Sequence, residues 1–260
     1  MENNLNGKCA IVCGSTDGIG KAIATLMAER GCKIILVSRN QEKLELTRNE
    51  LNESDQHSTV CADFNQPDEL KIKINAFLDE YGRSIDILVN NSGGPHGGPL
   101  IEAEEDEFRA GFERLLICNH IMAKAVVPGM KELNSGRIIN IISTSIKQVI
   151  PGLGVSNTIR GSVAQWGKTL ALELGEYGIT VNNILPGYTS TARLKDLAKS
   201  KSESTGVDEG DIYKLWENNT SVKRLGSPQE IAEAVSFLAS DAAGYINGHN
   251  LAIDGGRFSA

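Results

Sequence analysis

The sequence predicts an α/β fold, a single domain with one doubly wound parallel sheet of about seven strands and helices on both faces. Short apolar runs of strand type alternate with longer segments of helical period along the whole chain. The strands are apolar almost throughout, which is typical of strands that are buried on both faces. A glycine-rich turn joins the first strand to the first helix, where such folds hold an anionic group.

Each element follows from its local pattern. Cys9–Cys13 is an apolar strand, and from Lys21 to Arg30 the apolar residues recur at helical spacing. Further strands are predicted at Lys33–Ser38, Thr59–Ala62, Ile85–Asn90, Arg137–Ile142, Thr180–Leu185 and Leu251–Ile253. Further helices are predicted at Gln41–Asn52, Pro67–Tyr81, Asp106–Met130, Thr158–Tyr177 and Pro228–Ser240. Right-handed crossovers then place a ligand at the carboxyl ends of the strands.

No change in composition marks a domain boundary, so residues 1–260 are predicted to form one domain. One segment stands apart, because Lys195–Gly210 is rich in lysine, serine, acidic residues and glycine. We expect a mobile lid over the site here, within about 191–222. A disordered surface insertion would explain the same composition.

Bulk properties narrow the class of protein. The 260 residues carry a net charge of −7, which argues against a nucleic-acid or anionic-membrane partner. No apolar run approaches the ~18 residues that cross a bilayer. The five cysteines are odd in number and form no Cys-x-x-Cys pair, which indicates reduced thiols in a cytoplasmic protein, with no disulfide and no metal site.

The glycine turn occupies Cys13–Gly20. Gly14 permits a tight turn, Gly18 permits a pyrophosphate to approach the backbone, and Gly20 permits the helix to pack closely on the strand. An ordinary glycine-rich turn between strand and helix is the alternative. The same ligand site is predicted to include the residues between the glycines, namely Ser15, Thr16 and Ile19.

The second strand ends without the acidic residue that would bind a ribose hydroxyl. Ser38 and Arg39 stand there instead, and an arginine presents a planar fork of donors to phosphate oxygens. This favours NADP(H) as the cofactor. Arg39 as an exposed loop charge is the alternative, and Asp17 places a negative charge near the same phosphate.

Small polar residues end the third and fourth strands. Asp63 is placed to accept a hydrogen bond from the adenine amino group, and Asn90, Ser92 and Gly93 let the chain pass close to the cofactor. Turn formation at the ends of strands is the alternative role of these residues.

Together these segments resemble the short-chain dehydrogenase/reductase family, and the β-ketoacyl-acyl-carrier-protein reductases within it. The resemblance covers about residues 5–257. It is carried by the glycine motif, by Asn90–Gly93, by the loop with Pro186, Gly187, Thr189 and Thr191, and by the ending Gly226–Ala232 with Asp254–Gly256. It implies that the loop of Pro186, Gly187, Thr189 and Thr191 contacts the nicotinamide half of the cofactor.

The resemblance also implies four catalytic side chains: a tyrosine that protonates the carbonyl oxygen, a lysine, a serine and an asparagine. Ser143 takes the serine position. Ser156 replaces the tyrosine, Arg160 replaces the lysine, and Leu115 replaces the asparagine. Arg160 is expected to bind ribose hydroxyls but, with an ordinary pKa above ~12, not to relay a proton. Asn119, one helical turn beyond Leu115, is expected to be too far away to substitute.

Three other residues are candidate replacements for the lost acid. Lys147 follows the end of the fifth strand, His96 lies in the loop after the fourth strand, and Tyr188 follows Pro186-Gly187. Histidine has the pKa best suited to proton transfer near neutral pH. Lone polar residues on loops are more often solvated than catalytic, which is the alternative for all three.

Three functional hypotheses remain open. The first is an NADP-dependent oxidoreductase with an altered catalytic tetrad that acts on a small-molecule carbonyl or alcohol, such as a β-ketoacyl thioester. The second is a lyase or isomerase that uses Ser143 and Lys147 on the same fold. The third is a catalytically weak dinucleotide-binding protein. The resemblance favours the first.

The resemblance further implies a homotetramer or homodimer built on the helices Asp106–Met130 and Thr158–Tyr177. Apolar residues on these helices exceed what packing on one sheet face requires. They are Leu115, Leu116, Val163, Trp166 and Leu170.

Overall fold

The computed structural model describes residues 4–258, which form one seven-stranded parallel sheet with helices on both faces. The strands are β1 (Cys9–Cys13), β2 (Lys33–Ser38), β3 (Ser58–Cys61), β4 (Ile87–Asn90), β5 (Gly136–Ile141), β6 (Ile179–Pro186) and β7 (Asn250–Ile253). Their order is β3-β2-β1-β4-β5-β6-β7, and every neighbouring pair is parallel. The predicted fold class is confirmed. The strand order reverses between β1 and β4, which is where such sheets bind ligands.

The helices of the described residues follow the strands in alternation. They are α1 (Gly18–Glu29), α2 (Gln41–Glu50), α3 (Pro67–Tyr81), α4 (Glu105–Phe112), α5 (Cys118–Glu132), α6 (Gly154–Leu174), α7 (Ala192–Thr205), α8 (Glu209–Asn218) and α9 (Pro228–Ala239). Within residues 4–258, none of them is both long and apolar enough to cross a membrane.

The sheet separates two hydrophobic cores, as the alternation of side chains along a strand requires. Ala10 and Val12 of β1 face the layer that contains α1 and α9. Cys9, Ile11 and Cys13 face the opposite layer, which contains α3 and α5. Both faces of β1 are therefore buried, which explains its apolar sequence.

The predicted helix Asp106–Met130 is interrupted. α4 and α5 are joined by a π-helical turn at Glu113–Ile117, so that the axis continues but its register shifts. A π turn accommodates one additional residue in the helix. A periodicity of 3.6 residues does not reveal this insertion, because the apolar residues on either side still fall on one face.

The polar segment Lys195–Gly210 is helical, which the sequence analysis did not predict. α7 and α8 pack together through a small apolar cluster formed by Leu194, Ala198, Ile212 and Trp216. These four residues are spaced at helical intervals within a composition dominated by polar residues. A disordered insertion is therefore the wrong description, whereas a mobile lid stays a prediction.

Four asparagines form a hydrogen-bonded row across β4, β5, β6 and β7. Asn90 Nδ2 donates to Asn140 Oδ1 at 2.9 Å, and Asn140 Nδ2 donates to Asn183 Oδ1 at 2.9 Å. Asn183 Nδ2 donates in turn to Asn250 Oδ1 at 2.8 Å. All four residues are in register along neighbouring strands. We call this row the amide ladder.

Helix α6 approaches the amide ladder at a glycine. A Cβ on Gly167 would lie 2.8 Å from Asn183 Oδ1 and 3.0 Å from Asn140 Nδ2. Cβ atoms essentially never approach polar atoms so closely, so only glycine allows the helix to pack at this distance. Gly161, on the same helix, has no such neighbour within 4 Å.

Two residues assigned to a subunit interface belong to the interior instead. Leu115 and Val163 are 4% and 3% exposed and pack together with Ile142 and Ile159 between the long helices and the sheet. The number of apolar residues left over for an interface was therefore overestimated. A third hydrophobic cluster, which the sequence analysis did not predict, buries these two residues within the subunit. On the outer surface, Leu172 of α6 is 86% exposed.

Gly167→Ala is expected to destabilise the protein by about 1–3 kcal/mol, because its methyl group overlaps the amide ladder. Gly161→Ala is the matched control on the same helix, and it should be neutral or stabilising by up to ~1 kcal/mol. Urea unfolding followed by circular dichroism measures both. Equal effects of the two substitutions would show that the close approach at Gly167 does not constrain the fold.

Candidate active site

A cleft with about 380 Å³ of space opens at the carboxyl ends of β1, β4, β5 and β6. The glycine turn after β1 forms one wall, and the first residues of α7 form another. This is the position that the reversal of strand order predicts. The cleft is lined by many of the expected site residues: Gly14, Gly18, Ile19, Ser92, Gly93, Ser143, Ser156, Arg160, Pro186, Gly187, Thr189 and Thr191.

The glycine turn is shaped by two close approaches. Gly14 has φ +59°, and a Cβ there would lie 2.7 Å from Asn91 Nδ2. A Cβ on Gly20 would lie 2.0 Å from the carbonyl oxygen of Gly14, so α1 packs directly on the turn. Asp17 begins α1 by accepting a hydrogen bond from the Gly18 N–H at 2.7 Å. Gly18 and Ile19 of the first turn of α1 line the cleft, and the backbone N–H groups of a first helical turn have no acceptors within the helix.

The residues expected at the adenosine end lie outside the 380 Å³ cleft. Thr16 Oγ1 and Ser38 Oγ are 3.0 Å apart, and Arg39 is exposed at the next position after β2. The buried Ser15 hydroxyl donates to the Val37 carbonyl at 3.4 Å. Asp63 accepts hydrogen bonds at 2.9 Å from the backbone and side-chain N–H groups of Asn65, so one of its oxygens is already engaged.

Two serine hydroxyls line the deep part of the cleft. Ser143 begins a short helical turn after β5, and its Oγ accepts a hydrogen bond from the Ser145 N–H at 3.1 Å. Ser156 on α6 accepts from Arg160 Nε at 3.2 Å. Neither hydroxyl donates a hydrogen bond to a residue within 4–258, so each O–H hydrogen can be donated to a ligand.

The Arg160 side chain lies beside the Ser156 hydroxyl and donates hydrogen bonds to two backbone carbonyls. Its Nη1 donates to Ile142 O at 2.6 Å and to Ile141 O at 3.4 Å. Burial, together with a smaller effect of the nearby Arg193 guanidinium, lowers the pKa of Arg160 to about 10. The guanidinium therefore stays charged at neutral pH, as expected, although its pKa is below the ordinary value for arginine.

The three candidate replacement acids do not line this cleft. Lys147 is exposed, because the helical turn Thr144–Ile146 directs it away from the end of β5. His96 is exposed and lines a separate shallow cavity beside Glu102. The Tyr188 ring stacks on Trp216, with ring centroids 5.2 Å apart, and packs against Arg257.

Leu115, in the π-helical turn, and Asn119, in the first turn of α5, border the same small cavity. Both residues line a cavity of about 10 Å³ together with Asn90 and Arg160. Asn90 Oδ1 and Asn119 Oδ1 are buried and accept no hydrogen bond from the described part of the chain. Leu115 and Asn119 thus share the helix face that borders Arg160, and neither lines the 380 Å³ cleft.

Sequence reasoning missed several residues of the cleft. Arg193, in the first turn of α7, reaches across it to donate from Nη2 to the Pro95 carbonyl at 2.7 Å. Asn91 Nδ2 donates to Cys13 O at 3.2 Å and so supports the glycine turn. Leu153 and Leu197 add apolar surface. The position of Arg193 two residues after Thr191 was a signal, but the unrecognised helix hid it.

The described residues contain no group of histidine, cysteine or acidic side chains arranged to bind a metal ion. The five cysteines are free, and four of them are buried. Burial raises the pKa of the Cys118 thiol to about 12, so it remains protonated at neutral pH.

Comparison with known proteins identifies the family. A family model described as enoyl-(acyl carrier protein) reductase matches residues 14–257. The 3-oxoacyl-[acyl-carrier-protein] reductase FabG of Vibrio cholerae is 34% identical over 257 residues, which cover 98% of this chain and 99% of that protein.

Solved structures agree with the sequence comparison. The crystal structure of L-sorbose reductase from Gluconobacter frateurii, complexed with NADPH and L-sorbose, is 30% identical and superposes with a TM-score of 0.91 over the full length of both chains. A structure of actinorhodin polyketide ketoreductase with NADPH is 29% identical, with a TM-score of 0.87 over 96% of this chain and 97% of that chain. This chain belongs to the short-chain dehydrogenase/reductase family.

Proposed function

We propose that this protein is an NADP(H)-dependent oxidoreductase that interconverts a carbonyl group and an alcohol on a small molecule, with altered catalytic residues. The observation that carries the proposal is the convergence of Ser143, Ser156 and Arg160 in the cleft beside the glycine turn. The FabG relative, L-sorbose reductase and the ketoreductase are named for carbonyl reduction, and two of these structures contain NADPH.

The residues fit a dinucleotide. The first turn of α1 and the glycine turn offer backbone N–H groups to a pyrophosphate, and no side chain at Gly14 or Gly18 obstructs its approach. A Cβ on Gly93 would meet no atom within 4 Å, so open space lies beside the chain after β4. Ser38 and Arg39 are the candidate contacts to the 2′-phosphate.

NADPH, when bound, supplies the hydride that is added to the carbonyl carbon. The Ser143 hydroxyl donates a hydrogen bond to the carbonyl oxygen and polarises it. The Ser156 hydroxyl delivers a proton to the same oxygen, Arg160 Nε stabilises the charge left on Ser156 Oγ by its hydrogen bond, and solvent returns the proton to that oxygen. The products are the alcohol and NADP⁺, and the reverse direction removes the same hydride and proton.

The alternatives are less well supported. A lyase or isomerase that uses Ser143 and Lys147 requires both groups in one cleft, but Lys147 is exposed and does not line it. A protein that only bound the dinucleotide would have no need of two hydroxyls with free O–H hydrogens in the deep part of the cleft. We therefore favour redox chemistry.

We also infer a cytoplasmic homotetramer or homodimer. The free, buried cysteines are consistent with a reducing compartment. For assembly, the outer surface of α6 offers Leu172, and the partly buried Trp166 and Leu170 lie on the same helix. An apolar helix face of this kind is commonly covered by another subunit.

NADPH should bind about ten- to a hundredfold more tightly than NADH, because a charged donor at the 2′-phosphate strengthens binding. Arg39→Ala should abolish this preference and leave NADH binding unchanged. Fluorescence titration of both nucleotides measures it, and Lys43→Ala, on the adjacent helix, is a control of equal charge change. A preference that survives Arg39→Ala would refute the assignment of this residue.

Reduction of simple ketones and β-ketoacyl thioesters should be very slow, because a serine hydroxyl is a far weaker acid than a phenol. The triple change Leu115→Asn, Ser156→Tyr and Arg160→Lys should raise kcat by ~10²–10⁴-fold if the added ring fits. Single changes should do little, since such groups act as a unit. Oxidation of NADPH reports the rate. A wild-type rate equal to that of the triple variant would mean that Ser156 and Arg160 already supply the proton efficiently.

The oligomer should be disrupted by Leu172→Glu, because the substitution places a charge on the exposed apolar face of α6. Light scattering at micromolar concentration should show two or four subunits for the wild type and the 28.0 kDa monomer for the variant. Ile72→Glu on α3, which replaces another exposed apolar residue, is the control and should leave the mass unchanged. A monomeric wild type would refute the proposed homotetramer or homodimer.

A further inference from the structure

Two guanidinium groups converge in the deep part of the cleft. The point that a Cβ on Gly94 would occupy lies 3.1 Å from Arg160 Nη2, 3.9 Å from Ser156 Oγ and 4.0 Å from Arg193 Nη2. The two cations thus approach each other around one small region beside the proposed proton donor. Asp17 is the one carboxylate among the described residues that line the cleft, and it caps α1 at the glycine turn.

Neither arginine is neutralised by the part of the chain that the structure describes. Arg160 forms no ion pair there, and its Nε and Nη1 are satisfied by Ser156 Oγ and two carbonyls. Its Nη2 has no acceptor among residues 4–258 and faces Gly94. A partly buried cation such as Arg160, with no ion-pair partner, is costly, and a second cation beside it adds repulsion.

Arg193 is positioned to share an anion with Arg160. Its one hydrogen bond within residues 4–258 is donated by Nη2 to the Pro95 carbonyl, which leaves its other N–H groups for a ligand. A carboxylate has two oxygens and accepts hydrogen bonds from two guanidinium groups at once. A ligand carboxylate in this region would offset both charges.

We propose that the cleft binds substrates that carry a carboxylate, and that Arg160 and Arg193 hold this carboxylate close to the reacting carbonyl. The remaining lining near α7 is aliphatic, with Leu153, Leu194 and Leu197. The substrate class is therefore a short aliphatic keto acid, or the corresponding hydroxy acid in the oxidative direction. This inference rests on the proposed function and specifies its substrate.

The test compares acids with their neutral amides: acetoacetate with acetoacetamide, and 2-oxobutanoate with 2-oxobutanamide. Wild type should reduce at least one acid with a kcat/KM about ten- to a hundredfold above that of its amide. Arg193→Gln should raise the KM for the acid by a similar factor and leave the amide and the NADPH Kd unchanged. Lys199→Gln on the same helix is the matched control and should behave as wild type.

Calorimetric titration of malonate into the NADP⁺-bound protein separates the two proposals, because it requires no hydride transfer. Malonate should bind wild type and the Lys199→Gln variant, and about ten- to a hundredfold more weakly to Arg193→Gln. Malonate binding without reduction of any ketone would refute the redox function but keep the carboxylate site. Reduction of neutral ketones with no preference for acids and no malonate binding would overturn the carboxylate site alone. A change in NADPH Kd for Arg193→Gln would instead assign Arg193 to the cofactor.

Discussion

The amide ladder is the constraint on which the catalytic half of the structure depends. Its members lie on four neighbouring strands, and a shift of one residue in any pairing would move an asparagine to the opposite face of the sheet. The ladder therefore fixes where β4, β5 and β6 end. Those ends carry Ser92, Ser143 and Pro186 into one cleft. Gly167 shows how closely α6, which bears Ser156 and Arg160, is packed on this ladder.

The altered catalytic residues still form a connected group. The family pattern pairs a phenol with a cation four residues later, and this chain pairs a hydroxyl with a cation at the same spacing. Because arginine is longer than lysine and donates through a fork, Arg160 bonds Ser156 and two carbonyls of the β5 end simultaneously. The exchange of residues therefore changes acid strength and shape, while a positive charge beside a hydroxyl is retained.

Local patterns were sufficient to predict the sheet and the glycine turn, whereas Ser143, Ser156 and Arg160 were identified through the resemblance to the family. The spacing of Gly14, Gly18 and Gly20 requires one backbone geometry, and apolar strands require burial. The π-helical turn and the helices α7 and α8 were not predictable in this way, because polar composition and uninterrupted periodicity conceal them. Arg193 lines the cleft although it was not predicted, and Lys147 does not line the cleft although it was a candidate acid. The direction of a side chain depends on the turn that carries it, which the sequence pattern does not reveal.

The direction of the amide ladder has an electrostatic consequence for Arg160. The three amides that donate within the row, on Asn90, Asn140 and Asn183, all donate toward β7, so the carbonyl ends of these side-chain dipoles point back toward β4. The last of these carbonyls, on Asn90, borders the same 10 Å³ cavity as the guanidinium. Aligned dipoles of this kind create a negative potential at their oxygen end. The sheet interior thus contributes a weak negative potential on one side of Arg160, which offsets a small part of its charge while Nη2 faces the cleft.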